Sequence, residues 1–459
     1  MIISRRDFLK YSAKVFACCT LGTLGCSDGS YSGGESNGYV VVEPGIEIPA
    51  TGRCNTIMIV VDTLRADHLS LAGYGRNTSP NLTEFAKHAC TFENAISPCS
   101  WTVPSYVSLL TGMHAFNHNQ KTTPDGTPVN RTMLPEYLQQ EGYRTVRILT
   151  NCVVSEYDSC FDNDYWYCYY EGNRCDRASV DQAIEWLSDN DNLENNFFML
   201  IWLFSPHQNY ETSTGYLEEF VLDNVYSSSP VQASDVNCSD YGAIWPDDLS
   251  QELQDALGPP LLPGGCYQDY RLYVAAYDSN IKYDDQEIGR LFDFLKEREL
   301  YEETMILLTS DHGENMVDHE PNFAHAGNLY HSLVHVPMMI KFPYQDASAN
   351  FTTCVRSIDL LPTVFEFLDI DLGSVDGRTL LPLITGNPVD TRNYPCLSYL
   401  WREPDNADLF SITRGQYKLI RGPYGDELYD LWNDAEEKEN VVYNYPKIYA
   451  ELLSYLPEV

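Results

Sequence analysis

Basic residues are scarce in this 459-residue chain: 29 lysines and arginines stand against 66 aspartates and glutamates, a formal net charge of −37 at pH 7. So acidic a surface excludes nucleic acid as a partner, because binding the phosphate backbone rewards clustered cations. It also repels anionic membranes and gives no general steering of anionic substrates. An anionic substrate bound here would need a local metal to overcome the global field. No Cys-x-x-Cys pair occurs, which argues against a structural zinc site. No internal repeat is visible. The apolar stretch at residues 15–25 is too short to span a bilayer comfortably.

Hydrophobic residues make up 44% of the chain and aromatics 13%, enough for a sizeable core. The length suggests one large α/β domain with a smaller partner. At the N-terminus, Ser4-Arg5-Arg6-Asp7-Phe8-Leu9-Lys10 resembles a twin-arginine export signal, and residues 15–25 read as its apolar region. The expected location is therefore exported, periplasmic or envelope-associated. Leu24-Gly25-Cys26 resembles the end of a lipoprotein signal, with Thr23 where an aliphatic residue is usual; a lipid anchor at Cys26 and an unanchored chain both fit. Residues 1–26 then form the signal, and the Gly/Ser-rich, then Pro/Glu-rich residues 27–53 a flexible tether. Of the 14 cysteines, Cys18, Cys19 and Cys26 lie in the signal. An oxidising compartment would allow disulfides, first of all in the cluster Cys152, Cys160, Cys168 and Cys175.

A continuous apolar run at 55–61 predicts a buried parallel strand, and 144–149, 197–204, 305–308 and 338–342 read as further strands. Helical patterns at 80–88, 104–110, 133–140, 178–187, 267–299 and 359–368 alternate with them. Such alternation predicts an α/β fold, a large, mostly parallel sheet flanked by helices. Residues 54–392 form this domain, with 210–266 as an insertion that reads equally as a surface excursion or a substrate lid. From residue 393 to 459 the texture changes to short strands at 410–413, 417–420 and 427–431 and a closing helix at 445–456, a smaller C-terminal antiparallel-sheet subdomain.

Charged residues follow two of the apolar runs directly: Asp62 after NTIMIVV, and Asp311 with His312 after MILLTS. Open α/β sheets place their sites at the carboxyl ends of their strands, and two carboxylates with a histidine there suit a hard divalent cation. Thr102 precedes a helix with Pro104 in its first turn. Its hydroxyl would lie near a helix end that attracts anions; it could equally serve as the helix N-cap.

The successive segments IVVDTLRADHLSLAGYGRNTSPNLTEFAKHACTFENA, WTVPSYVSLLTG, LLTSDHGE, VHVPMMIKFP, VRSIDLLPTVFEFL with DGRTLLPLITG, and YKLI with ELYDL resemble the sulfatase family of the alkaline phosphatase superfamily over roughly residues 54–456. The resemblance implies a sulfatase-like ester hydrolase with one divalent metal ion (calcium, magnesium or manganese). It implies that Asp62, Asp311 and His312 hold the metal and that Thr102 is the nucleophile of the C-x-P-x-R signature. His207 matches a histidine that contacts the ester or leaving group, and His325 a basic residue near the transferred group. His118 and Asn151 are further carry-overs, and Thr63 falls where many members have a second aspartate. The substrate would be a small anionic ester or a sulfated or phosphorylated glycan.

This chain departs from the family pattern in three places. The nucleophile position holds Thr102 where sulfatases carry Cys or Ser destined to become formylglycine, so no formylglycine is expected. Tyr106 replaces the signature arginine, and Thr150-Asn151-Cys152 stands where Lys-x-His is expected. A threonine ester cannot collapse to an aldehyde and needs water to release the group, which shifts weight toward a phosphate ester. A phosphodiesterase or phosphonate-ester hydrolase on the same fold, and a glycan-binding member without turnover, are the alternatives.

Overall fold

The computed structural model describes residues 40–457, apart from 42, 122–128, 130, 167–174, 211, 213, 222, 224–243, 245–248, 258–266, 268, 320–322, 391–394 and 403–406. The signal, most of the tether, Cys26, Cys168 and much of the insertion lie outside these residues. Among the described residues, no helix is long and apolar enough to cross a membrane.

In chain order the strands are β1 (Val40–Val41), β2 (Asn55–Val61), β3 (Cys90–Ile96), β4 (Arg144–Leu149), β5 (Asn163–Trp166), β6 (Phe197–Leu203), β7 (Thr304–Thr309), β8 (His335–Lys341), β9 (Ala349–Phe351), β10 (Val355–Arg356), β11 (Val389–Asp390), β12 (Cys396–Arg402), β13 (Ala407–Arg414), β14 (Tyr417–Gly422) and β15 (Gly425–Asp430). The main helices are α1 (Pro80–Phe85), α2 (Thr102–Thr111), α3 (Cys175–Ser188), α4 (Tyr270–Glu297), α5 (Leu360–Leu368) and α6 (Pro446–Leu453). Nine strands form one mixed, mostly parallel sheet in the order β10-β3-β8-β7-β2-β6-β4-β5, with β9 beside β3. β12–β15 form a separate four-stranded antiparallel meander.

Successive side chains of β2 point to opposite faces of the sheet. Ile57, Ile59 and Val61 pack with α1, α3 and α4, while Met58 and Val60 pack with α2 and α5. Because helices cover both faces, these strands carry no polar alternation. Each fully buried aliphatic side chain contributes roughly 1.5–3 kcal/mol. The small sheet is also covered on both sides. Tyr399, Ile412, Leu419 and Leu428 pack against Leu452 of α6 and against Cys99. Leu400, Leu409 and Ile420 meet Ile96, Leu329 and Leu333.

β7, β2, β6 and β4 are adjacent and run parallel. Their carboxyl ends therefore share one edge, and the segments that leave them converge there.

Candidate active site

Asp62 follows β2, Asp311 and His312 follow β7, His207 follows β6 and Asn151 follows β4. The chain leaves β2 through Thr63, which holds a positive φ of 56°, a strained conformation for a β-branched residue. That turn lets the Thr63 amide donate to Asp311 Oδ1 at 3.2 Å. Tyr277 of α4 clamps the turn from behind, donating to the Thr63 carbonyl at 2.7 Å. The chain leaves β7 through Gly313, where a Cβ would come within 2.0 Å of the Ser332 carbonyl oxygen; only glycine fits that approach.

Asp62, Asp311 and His312 are wholly buried. One ligand atom from each lies within 4.8 Å of the others. Asp62 Oδ2 accepts from Asn151 Nδ2 at 2.6 Å and from Trp202 Nε1 at 3.2 Å. Asp311 Oδ1 accepts the amides of Thr63 and His312. The remaining oxygens, Asp62 Oδ1 and Asp311 Oδ2, are buried and accept no hydrogen bond. Burial pushes both carboxyls above their usual range, and for Asp311 the charge of Asp62 adds to the effect. Two facing carboxylate oxygens with no donor between them are costly unless a cation joins them.

His312 Nδ1 lies 2.8 Å from the Gly313 carbonyl oxygen, so the ring proton belongs on Nδ1 and the lone pair on Nε2. That Nε2 lies 3.3 Å from Asp311 Oδ2, 3.9 Å from Asp62 Oδ1 and 3.2 Å from Thr102 Oγ1. Burial, followed by the neighbouring His325, holds the imidazole well below its ordinary pKa. The donor set of two carboxylates and a neutral imidazole fits a divalent cation.

Thr102 is the first residue of α2, whose N-cap is Trp101. The helix thus begins two residues earlier than the predicted 104–110. The hydroxyl does not serve as the N-cap; it points to His312. Cys99 is buried in the core beneath the C-terminal sheet and is held far above the usual thiol pKa by desolvation, so it offers no nucleophile.

His325 and His207 complete the cluster. The ring centroid of His325 is 4.7 Å from that of His312 and 4.8 Å from that of His207. His325 sits on a loop whose Ala326 amide donates to the Ser100 carbonyl at 3.0 Å, tying it to the segment that leads into Thr102. Its Nδ1 contacts Glu314 Oε1 at 3.1 Å. Burial opposes its charge, but the Glu314 carboxylate outweighs this, followed by Asp62, and raises its pKa. His207 moves the other way, down to about 4, chiefly through burial.

Some sequence expectations fall elsewhere. His118 is buried with both ring nitrogens engaged, by Ser108 Oγ at 2.9 Å and the Gln120 amide at 3.1 Å, and belongs to the packing around α2. Tyr106, at the signature-arginine position, turns into the core, where its hydroxyl accepts from Arg147 at 3.1 Å and its ring packs on Trp202. Asn151 joins the site as a partner of Asp62. Glu314 and Trp202 were not singled out in the sequence. Glu314 lies two residues after His312 in the same segment, which could have drawn attention to it; Trp202 carries no such signal, being one apolar residue in an apolar strand. In the cysteine cluster, Cys160 Sγ lies 3.7 Å from the Met133 sulfur.

The family model described as Sulfatase matches residues 54–370. A second, described as the C-terminal region of N-sulphoglucosamine sulphohydrolase, matches residues 323–458. An arylsulfatase from Clostridium perfringens is 25% identical over 455 residues, covering 88% of this chain and 93% of that protein. Among solved structures, BT4656 in complex with its substrate D-glucosamine-2-N,6-O-disulfate aligns with a TM-score of 0.70 at 20% identity, covering 88% of this chain and 96% of the other. The phosphonate monoester hydrolase of Agrobacterium radiobacter aligns with a TM-score of 0.65 at 18% identity, covering 88% and 94%.

Proposed function

Since this chain belongs to the sulfatase family of hydrolases, we propose that it is an exported, metal-dependent ester hydrolase that transfers a sulfuryl or phosphoryl group to Thr102. One observation carries this reading: the Thr102 hydroxyl lies 3.2 Å from His312 Nε2, beside two buried carboxylate oxygens that accept no hydrogen bond.

A divalent cation held by Asp62, Asp311 and His312, whether calcium, magnesium or manganese, would lower the pKa of the Thr102 hydroxyl and offset charge on the transferred group. Thr102 Oγ1 gives its proton to water and attacks sulfur or phosphorus, and the bond to the leaving oxygen breaks. His325, whose pKa the neighbouring Glu314 raises, gives a proton from Nε2 to that oxygen. The two imidazoles have pKa values pushed apart, an arrangement that separates acid from base. His207, neutral near pH 7, then takes a proton from the water that hydrolyses the Thr102 ester. Thr102 cannot supply the aldehyde exit of formylglycine, so the second step requires this water. That requirement favours a phosphate ester or phosphonate among the substrates, as does the fold shared with a phosphonate monoester hydrolase. The disulfated glucosamine in the BT4656 structure supports a sulfated sugar instead.

Export rests on residues 4–10 and 15–25, and envelope attachment on Cys26. Fractionation of cells with and without the Arg5-Arg6 pair tests the first, and a Cys26→Ser variant the second. For the chemistry, release of nitrophenol from nitrophenyl sulfate and from bis-nitrophenyl phosphate is compared with manganese or calcium present, in the native chain and in Thr102→Ala. Phosphodiester turnover lost in the variant is the expected result, and sulfate turnover lost in the variant would identify a sulfatase. Turnover that survives in Thr102→Ala overturns the nucleophile. No turnover by the folded, metal-loaded chain would favour a glycan-binding role.

A further inference from the structure

Cys354 and Cys396 bring their sulfur atoms to 2.8 Å of each other. This is close for a non-bonded sulfur pair, yet longer than the roughly 2.05 Å of a formed disulfide. Cys354 stands immediately before β10, on the rim of the large sheet, and Cys396 is the first residue of β12, on the inner edge of the small one. We propose that these two thiols form a disulfide that staples the C-terminal sheet to the α/β domain beside the segment leading to Thr102.

Two features make the pair suited to oxidation. Cys396 is buried, whereas Cys354 is half-buried and lines a cavity of about 900 Å³ together with Thr353, Phe365, Ile370 and Leu372. A reagent can therefore reach one sulfur and the second can resolve the intermediate. The balanced exchange uses a small disulfide such as glutathione disulfide, or a protein disulfide of the same reactivity. The Cys354 thiolate attacks one external sulfur and releases the first external thiol. The Cys396 thiolate then attacks Cys354 Sγ and releases the second. Two protein thiols are oxidised, one external disulfide is reduced, and two protons move to the released thiolates.

The neighbourhood gives the bond a purpose. Just beyond Cys396, Ser398 Oγ donates to the Ser97 carbonyl at 2.6 Å and the Tyr399 amide to the Pro98 carbonyl at 2.8 Å. Ser97 and Pro98 begin the segment that ends at Thr102, so β12 already buttresses that segment by hydrogen bonds. A bond across 42 residues of sequence also restricts the unfolded chain. The proposal is independent of the ester chemistry, though an oxidising compartment agrees with export.

The test uses the purified full chain, equilibrated with glutathione disulfide, alkylated under denaturing conditions, then reduced, labelled with a second reagent and mapped by mass spectrometry. Expected are Cys354 and Cys396 peptides that both carry only the second label, and one disulfide-linked Cys354–Cys396 peptide pair when the reduction is left out, while Cys90 and Cys99 carry the first. In Cys354→Ser, Cys396 should shift to the first label. Reductant should lower the melting temperature of the native chain by roughly several degrees and leave the Cys354→Ser/Cys396→Ser double variant unmoved. First label on both cysteines of the native chain overturns the proposal, and so does protection of Cys396 that persists in Cys354→Ser. If the variants fail to fold, the native peptide map decides alone.

Discussion

Replacing Asn151 with alanine isolates the support behind the candidate metal ligands without touching a ligand. Asp62 Oδ2 has two donors, Asn151 Nδ2 at 2.6 Å and Trp202 Nε1 at 3.2 Å, and the variant removes the shorter bond. A hydrogen bond to a buried charge contributes about 1.5–3 kcal/mol, and losing an outer partner of a metal ligand weakens affinity roughly 10–100-fold. The two ranges agree, since a tenfold change corresponds to about 1.4 kcal/mol. Burial already raises the Asp62 pKa, and Asn151 is one of the groups that oppose the rise. In Asn151→Ala the carboxyl therefore holds its proton more tightly, and that proton competes with the cation. The metal-loaded forms should separate by the lost binding energy. Calorimetric titration with manganese or calcium at two pH values reads both effects: affinity falls about 10–100-fold, and more at the lower pH. Native affinity in a folded Asn151→Ala would refute the assignment of Asp62 as a ligand steadied by Asn151.

Three further outcomes are expected. Thr102→Ser should retain turnover, whereas Thr102→Ala should lose about four orders of magnitude or more; comparable rates in the two variants would remove the hydroxyl from the chemistry. Glu314→Gln should lower kcat about 100-fold and move the alkaline limb of the pH–rate profile to lower pH, because the carboxylate that raises the His325 pKa is gone; an unmoved limb would exclude His325 as the acid. Asp285 accepts the amides of Asn81 and Leu82, yet burial raises its pKa from 3.8 to about 6. The folded chain then binds this proton more tightly than the unfolded chain, so the stabilisation is complete below pH 3.8 and is lost as the pH rises through about 6. The stability of the native chain relative to Asp285→Asn should fall by about 3 kcal/mol across that window in denaturant titrations, and a difference that stays constant or grows would contradict the shift.

The parts of the fold that were legible are those where one physical demand acts alone. β2 falls at its predicted limits because a strand covered on both faces is apolar along most of its length; β4 does so too, although Arg147 lies buried within it, paired with Asp164. β3 was not predicted: Glu93 and Asn94 interrupt its apolar residues where its pairing with β8 shifts register between Phe92 and Ala95, so neither alternation nor a continuous run survives. β12 was missed as well, since its apolar residues answer to two different cores, Leu397 and Tyr399 on one side and Cys396 and Leu400 on the other. Asp62, Asp311 and His312 could be picked out by a local rule, a charged residue within three positions of the end of a buried strand. Asn151 lies as far beyond β4 as Asp311 lies beyond β7, two residues, but its side chain is uncharged. Trp202 obeys none, because its role arises from the adjacency of β6 to β2. Tyr106, which stands at the signature-arginine position, is drawn into the core by its size and its Arg147 partner.

The loss of fixed cations from this site changes how an anion can be held. Arginine stays charged at every accessible pH, and the signature position that would supply it carries Tyr106, which pairs with Arg147 away from the cluster. The side chains that converge beside Thr102 are instead the imidazoles of His207, His312 and His325. His312 and His207 are driven toward neutrality by burial. His325, the ring backed by a buried carboxylate, keeps an elevated pKa. Among these described residues, and apart from a metal held there, the positive charge beside Thr102 thus rests on one titratable ring. Anion binding and proton donation then depend on the same proton and should fail together as the pH rises through the His325 pKa. In a chain of net charge −37, whose overall field opposes an anionic ester, that coupling would confine strong substrate binding to the protonation state competent for leaving-group departure.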